Sequence, residues 1–85
     1  MLTVRYSDQA VKFLTKIPTQ DAKQIMNKIK LYANNPQSLK NKVKKLTNSI
    51  YYRLRVGEYR VIFTETGEVI SVEKIGNRGD VYRRI

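Results

Sequence analysis

Apolar residues in the first part of the chain recur at the spacing expected of two amphipathic helices. Residues 2–6 alternate in character and suit a short β-strand. The two apolar stripes that follow are Ala10, Phe13, Leu14 and Ile17, and then Ala22, Ile25, Met26, Ile29, Tyr32 and Ala33. Ser7 is a suitable N-cap for the first helix and Thr19 for the second. Because Pro18 separates the helices and Pro36 follows the second, the pattern predicts an antiparallel helical hairpin.

The second half of the chain carries three β-rich runs separated by short turns. The runs span residues 50–56, 59–65 and 69–75, and the turns between them are Gly57-Glu58 and Thr66-Gly67. This pattern predicts an antiparallel three-stranded meander. Together with the first strand and the helical hairpin, it predicts one α+β domain over residues 1–85, with the helices on one face of a small antiparallel sheet.

Side-chain alternation gives the meander one apolar face and one basic face. With Gly57-Glu58 as the turn, Arg55 lies directly opposite Arg60, and Arg53 lies two residues along the same face. The opposite face carries Tyr52, Leu54, Val56, Tyr59, Val61 and Phe63. Like charges opposite one another destabilise a sheet, whereas guanidinium groups match phosphate oxygens well. The pattern therefore predicts an anion-binding face, and an ordinary solvated sheet face is the alternative.

The residues after the meander's second turn add three candidate site residues. With Thr66-Gly67 as that turn, Glu73 lies opposite Arg60, where its carboxylate would orient the guanidinium. Arg78 follows in a loop bounded by glycines, and Tyr82 comes soon after it. A tyrosine beside arginines can stack on a nucleotide base. A partly buried core tyrosine is the alternative interpretation of Tyr82.

The charge of the chain is strongly positive and concentrated in its centre. The 85 residues include 17 Lys+Arg and 7 Asp+Glu, which gives a formal net charge of +10. Residues 40–60 hold seven basic residues and one acidic residue, and Lys42, Lys44 and Lys45 belong to the polar stretch before the meander. That stretch, residues 36–49, predicts a loop with a short extended piece. A basic cluster of this kind is typical of nucleic-acid binding, and a solvated lysine-rich loop is the alternative.

The composition excludes several kinds of site. The chain has no cysteine and no histidine, so disulfides, thiolate or imidazole metal sites and a histidine general base are all excluded. We expect no metal and no organic cofactor. Because no run of 18 apolar residues is present and the first residues do not resemble a signal peptide, we expect a cytoplasmic protein with anionic partners and no membrane association.

Two motifs resemble the RelE/ParE superfamily of type II toxins. They are Tyr-Arg-Leu-Arg-Val-Gly-Glu-Tyr-Arg-Val-Ile-Phe at residues 52–63 and Ile-Gly-Asn-Arg-Gly-Asp-Val-Tyr-Arg at residues 75–83. The helical hairpin after a short strand fits the same superfamily, so the resemblance covers essentially the whole chain. It implies a RelE-like ribosome-dependent endoribonuclease that cuts messenger RNA in the ribosomal A site. It also implies a cognate antitoxin, for which we expect an acidic, amphipathic segment.

The resemblance also implies roles for individual residues. Catalytic positions of RelE-type toxins fall on Arg53, Arg55, Arg60, Arg78 and Tyr82, and attack of a ribose 2′-OH on the adjacent phosphate needs no metal. Lys42, Lys44 and Lys45 would bind substrate or ribosomal RNA. Well-known members carry lysines where this chain has Arg53 and Arg55. Because arginine stays protonated, the resemblance does not identify a general base.

Two other functions remain open on the sequence alone. One is a non-catalytic, ParE-like inhibitor of DNA gyrase, since the same fold serves both activities. The other is a plain nucleic-acid-binding module that uses the lysines between residues 40 and 45. The set formed by Arg60, Arg78 and Tyr82 favours the nuclease.

Overall fold

The computed structural model describes residues 2–79, which form two helices packed on a five-stranded sheet. The elements in chain order are β1 (Thr3–Tyr6), α1 (Asp8–Lys16), α2 (Thr19–Asn34), a 3₁₀ turn (Pro36–Leu39), β2 (Val43–Lys45), β3 (Tyr52–Val56), β4 (Tyr59–Glu65) and β5 (Val69–Asn77). The predicted α+β class, helical hairpin and meander are confirmed. The terminal segment 81–85, which includes Tyr82, lies outside the described residues.

The sheet is mixed rather than wholly antiparallel. Its strand order is β1-β5-β4-β3-β2, and β1 runs parallel to β5 while the other pairs are antiparallel. A parallel pair needs a long connection, which the helices and the meander between β1 and β5 provide. The short extended piece expected between residues 36 and 49 is β2, which forms the opposite edge of the sheet.

The two helices begin in different ways. Ser7 caps α1 as predicted, because its hydroxyl accepts a hydrogen bond from the backbone N–H of Ala10 at 3.1 Å. Thr19 does not cap α2. Pro18 occupies the N-cap position without a side-chain hydrogen bond, and Thr19 is the first helical residue. The sequence signal of a hydroxyl side chain before an apolar stripe therefore placed the second cap one residue late.

The core lies between the helices and the apolar face of the sheet. Its largest fully buried side chains are Ile25, Leu54, Val61, Phe63, Ile70, Val72 and Ile75. Two tyrosines tie α2 to the strands at the edges of this core. The hydroxyl of Tyr32 donates to Glu65 at 2.8 Å, and that of Tyr59 donates to Asp21 at 2.7 Å. Burial, with a smaller contribution from Glu65, raises the pKa of Tyr32 well above its usual range.

Replacing Tyr32 by phenylalanine should lower the free energy of unfolding by about 1–2 kcal/mol, because Glu65 loses a hydrogen-bond donor in a partly buried position. Denaturant titration measures the change. Tyr51→Phe is the matched control, since the Tyr51 hydroxyl makes no hydrogen bond within residues 2–79. Equal stability of the two variants would show that the bond from Tyr32 to Glu65 contributes nothing.

Candidate active site

The face of the sheet that points away from the helices is lined by basic side chains. The register pairs Arg55 with Arg60 and Arg53 with Ile62, as the position of the Gly57-Glu58 turn predicts. The neighbouring strands add one lysine each, because Lys44 pairs with Arg53 and Lys74 pairs with Ile62. We call this set the cationic face; it consists of Lys44, Arg53, Arg55, Arg60 and Lys74.

Arg60 is the most constrained member of the cationic face. It is only 9% exposed, and its Nη1 donates to the carbonyl oxygens of Gly57 at 2.8 Å and Tyr59 at 2.9 Å. Gly57 has a φ of +56°, a backbone conformation that favours glycine and forms the tight turn between β3 and β4. The two contacts therefore fix the guanidinium against the turn through its Nη1 atom.

The other two arginines differ in their exposure. Arg55, directly opposite Arg60, is exposed, and Arg53 is half-buried. Two guanidinium groups on opposed positions repel one another unless an anion lies between them. A fixed guanidinium beside an exposed one is an arrangement that suits binding a phosphate and stabilising charge that accumulates on it.

The three predicted substrate-binding lysines do not lie on one surface. Lys44 shares the cationic face with Arg53, and the carbonyl oxygen of Lys42 accepts from the N–H of Arg55 at 3.0 Å. Lys45 pairs with Tyr52 on the opposite face, and its ammonium lies 5.9 Å from the centre of the Tyr52 ring. The structure therefore brings Lys42 and Lys44 to the edge of the cationic face and separates Lys45 from it.

The predicted pairing of Glu73 with Arg60 is wrong. The hairpin between β4 and β5 turns at Gly67-Glu68, because the Thr66 hydroxyl accepts from the backbone N–H groups of Glu68 and Val69. A β-bulge follows, in which Phe63 pairs with Val72 and Ile62 pairs with Lys74. Glu73 is the extra residue of this bulge.

The shifted register changes which side chains line the cationic face. Arg60 lies opposite Gly76, and Lys74 takes a position that an unbroken ladder after Val72 would give to Glu73. Sequence reasoning missed Lys74 for this reason. The signal that could have found it is the spacing of Ile70, Val72 and Ile75, which is two residues and then three and so fits a strand with one extra residue.

Replacing Glu73 by glutamine should leave activity within about twofold of the wild type, because the register separates Glu73 from Arg60. The measurement is the rate of RNA cleavage at fixed protein and substrate concentrations. Glu68→Gln, at the exposed turn between β4 and β5, is the matched control. A tenfold loss of cleavage rate in Glu73→Gln but not in Glu68→Gln would show that Glu73 orients a catalytic group, as the sequence predicted.

Arg78 lies at the same end of the sheet as Arg60. Its backbone N–H donates to the carbonyl oxygen of Glu58 at 2.9 Å, which holds it beside the turn between β3 and β4. The residue is exposed, and strand alternation from Gly76 places it on the side of the cationic face. The structure thus brings Arg55, Arg60 and Arg78 to one end of one face. Tyr82, the remaining predicted catalytic residue, lies outside residues 2–79.

Two further features of the described part of the chain bear on the chemistry. Residues 2–79 contain no group of three or more Asp and Glu side chains that could hold a metal ion. No helix within the same residues is long and apolar enough to span a membrane. The arrangement offers fixed positive charge to an anion, and none of its arginines can serve as a general base.

Comparison with known proteins gives a family match and several structural matches. The chain matches the family model described as "ParE toxin of type II toxin-antitoxin system, parDE" over residues 4–82. No curated protein sequence matches it. It is similar to the RelE toxin in the RelE–RelB complex from Pyrococcus horikoshii, with 27% identity, coverage of 94% of this chain and 98% of that chain, and a TM-score of 0.77.

Two other solved structures show the same similarity. One is the RelE toxin in the RelB–RelE complex from Methanococcus jannaschii, with 27% identity, a TM-score of 0.73, and coverage of 95% of this chain and 98% of that one. The other is the YoeB dimer from Staphylococcus aureus, with 25% identity, a TM-score of 0.67, and coverage of 86% of this chain and 92% of that one.

Proposed function

We propose that this chain, which belongs to the family of ParE toxins of type II toxin–antitoxin systems, is a ribosome-dependent endoribonuclease that cleaves messenger RNA in the ribosomal A site. The observation that carries the proposal is the meeting of Arg55, Arg60 and Arg78 at one end of the cationic face, with Arg60 fixed by the turn between β3 and β4. Similarity to RelE structures at 27% identity supports the nuclease branch.

The proposed reaction is an attack of a ribose 2′-OH on its neighbouring phosphate. A bond forms between the 2′ oxygen and phosphorus, and the bond from phosphorus to the 5′ oxygen of the next nucleotide breaks. The products are a 2′,3′-cyclic phosphate and a free 5′-OH. The 2′-OH loses its proton to a base outside the arginine set, and the departing 5′ oxygen gains one.

The arginines contribute electrostatic stabilisation rather than proton transfer. Arg60 and Arg78 stabilise the negative charge that gathers on the five-coordinate phosphorus, and Arg78 assists the departing oxygen. Arg53 and Arg55 position the substrate phosphates. Lys42 and Lys44 bind the RNA backbone at the edge of the face, and Lys45 contacts ribosomal RNA from the other side of β2. Tyr82 stacks on a base, as the sequence motif implies.

A dependence on the ribosome follows from the composition of this site. The catalytic residues predicted from the sequence include no histidine and no set of metal ligands. The proposed reaction therefore relies on placing the 2′-OH in line with the departing oxygen. Holding the reacting atoms in that geometry contributes as much as ~7–11 kcal/mol to lowering a barrier, and a structured A site supplies it. Free RNA should accordingly be a poor substrate.

We also infer a cognate antitoxin that carries an acidic, amphipathic segment. Related toxins from P. horikoshii and M. jannaschii were solved in complex with RelB. A net charge of +10 favours fast capture by an acidic partner, and the segment would order on binding this chain.

Inhibition of DNA gyrase is the second candidate function, and we keep it because the description of the matching family model names ParE and parDE. Brief expression followed by primer extension on a translated messenger separates the two. In-frame cuts at A-site codons, with intact DNA, support the nuclease. DNA damage without messenger cleavage supports gyrase inhibition and overturns the nuclease proposal.

A further inference from the structure

The outer edge of β5 continues beyond the end of its neighbour β1. The parallel pairing ends at Tyr6 and Val72, where the chain leaves the sheet and turns into α1, whereas β5 runs on to Asn77. Exposed strand edges leave backbone N–H and C=O groups without a partner. Ser7 provides donors for two carbonyl oxygens at the end of this pairing. Its N–H donates to the carbonyl oxygen of Val72 at 2.9 Å, and its hydroxyl donates to the carbonyl oxygen of Glu73 at 2.7 Å.

The next residue on this edge is held by a side chain from the first turn of α1. The Nε2 of Gln9 donates to the carbonyl oxygen of Ile75 at 3.0 Å, and the N–H of Ile75 donates to Oε1 of Gln9 at 3.0 Å. A carboxamide presents the same donor and acceptor as a peptide group. Gln9 therefore takes the place of the strand residue that β1 no longer supplies.

We propose that Ser7 and Gln9 are positioning residues that hold the last part of β5 so that Arg78 lies beside Arg60. The inference rests on the proposed nuclease function. Both contacts lie at or just after the bulge residue Glu73, where the regular ladder is interrupted and β5 is least well held by β4. Beyond the bulge come Lys74 and then Arg78, three residues after the Gln9 contact.

The path along the chain from the Gln9 contact at Ile75 to Arg78 is short. Between Ile75 and Arg78, β5 is held by β4 on one side and by Gln9 on the other, and the Arg78 N–H to Glu58 bond closes the end. Gly79, with a φ of +91°, allows the backbone to change direction immediately afterwards. Because the Ile75 side chain lies in the core and Arg78 follows three residues later, loosening the outer edge at Ile75 is expected to shift the Arg78 backbone and to weaken the packing of Ile75.

The test compares Gln9→Ala with Gln20→Ala in the full chain. Each glutamine is exposed and is the second residue of its helix, so the two variants share the substitution and its helical context. We expect the Ile75 amide to exchange with solvent about five- to tenfold faster in Gln9→Ala, because the substitution removes the acceptor of the Ile75 N–H. Single-turnover cleavage of messenger on programmed ribosomes should fall about tenfold, because displaced catalytic groups lose rate steeply.

A second variant and two further readouts separate positioning from stability. Gln9→Met keeps the length of the side chain without its donor and acceptor, so it should lose as much cleavage rate as Gln9→Ala. Affinity for the ribosome should stay at the value of Gln20→Ala, since the cationic face is intact, whereas the thermal midpoint should fall by several degrees because both hydrogen bonds from Gln9 to Ile75 are lost. A merely structural role would lower the midpoint by the same amount and leave the rate of the folded protein unchanged.

Each outcome decides one question. Faster exchange at Ile75 with an unchanged cleavage rate overturns the positioning role, and unchanged exchange overturns the contact itself. If the wild type cuts no messenger on the ribosome, the nuclease proposal fails, and with it the catalytic part of this inference. In that case, faster exchange of the Ile75 and Arg78 amides in Gln9→Ala would still show that Gln9 holds the end of β5 in place.

Discussion

Replacing Arg78 by alanine should abolish toxicity and lower the single-turnover cleavage rate by about 10²–10³-fold, the loss typical of removing one group that stabilises the transition state. The protein should remain folded, because the side chain is exposed and the bond that anchors this position to Glu58 comes from the backbone. Toxicity is measured as growth arrest at equal expression, and folding by thermal unfolding.

Arg5→Ala is the matched control for this prediction. Arg5 is also an exposed arginine of the sheet, but it pairs with Ser71 at the far end of β5. It should keep full toxicity. If Arg78→Ala arrests growth as the wild type does, Arg78 takes no part in the reaction. The proposal that Arg55, Arg60 and Arg78 form the active site would then be wrong.

Binding to the ribosome or to RNA should weaken steeply as salt increases. Each phosphate contact contributes a slope of about −0.7 to −0.9 in a plot of log K against log salt concentration. If all five members of the cationic face contact phosphates, affinity falls about a hundredfold or more between 50 and 200 mM salt. Binding titrations at four or more salt concentrations measure the slope.

Paired charge removals test which residues produce the slope. Arg53→Gln with Arg55→Gln should make it shallower by about 1.4–1.8, because two contacts are lost. Lys16→Gln with Lys23→Gln removes the same charge from exposed positions on α1 and α2, away from the face, and should leave the slope nearly unchanged. A flat salt dependence of the wild type would mean that the cationic face is an ordinary solvated surface.

The register of β3 and β4 could be predicted residue by residue because one short turn determines it. Gly57 supplies the positive φ that the turn needs, and the apolar alternation on both strands agrees with only one pairing. The adjacency of Arg55 and Arg60 follows from these two local signals. The part of the candidate site that depends on this hairpin was therefore available from the sequence.

The register of β4 and β5 could not be predicted in the same way. The Thr66 hydroxyl forms hydrogen bonds to the backbone of the turn, which moves the turn one residue along the chain, and the bulge at Glu73 then changes the phase of the strand. An error of one residue in the turn displaces every pairing after it by two. Glu73 was consequently placed opposite Arg60, and Lys74 was missed.

The pairing of β1 with β5 depends on contacts between the two ends of the chain. No local pattern indicates that β1 lies beside β5, because the two strands are more than sixty residues apart in sequence. The same holds for Ser7 and Gln9, which are ordinary helix-start residues until the fold brings them against the edge of β5. Helix signals predicted the capping role of Ser7, and only the tertiary structure shows its second contact.

Incubating the purified chain with ribosomes programmed with a defined messenger tests the central claim most directly. Wild-type protein should cut the messenger at the A-site codon and leave a 2′,3′-cyclic phosphate and a 5′-OH, with Arg78→Ala inactive and free messenger cut far more slowly. An uncut messenger, together with loss of gyrase supercoiling activity at the same protein concentration, would contradict the nuclease account.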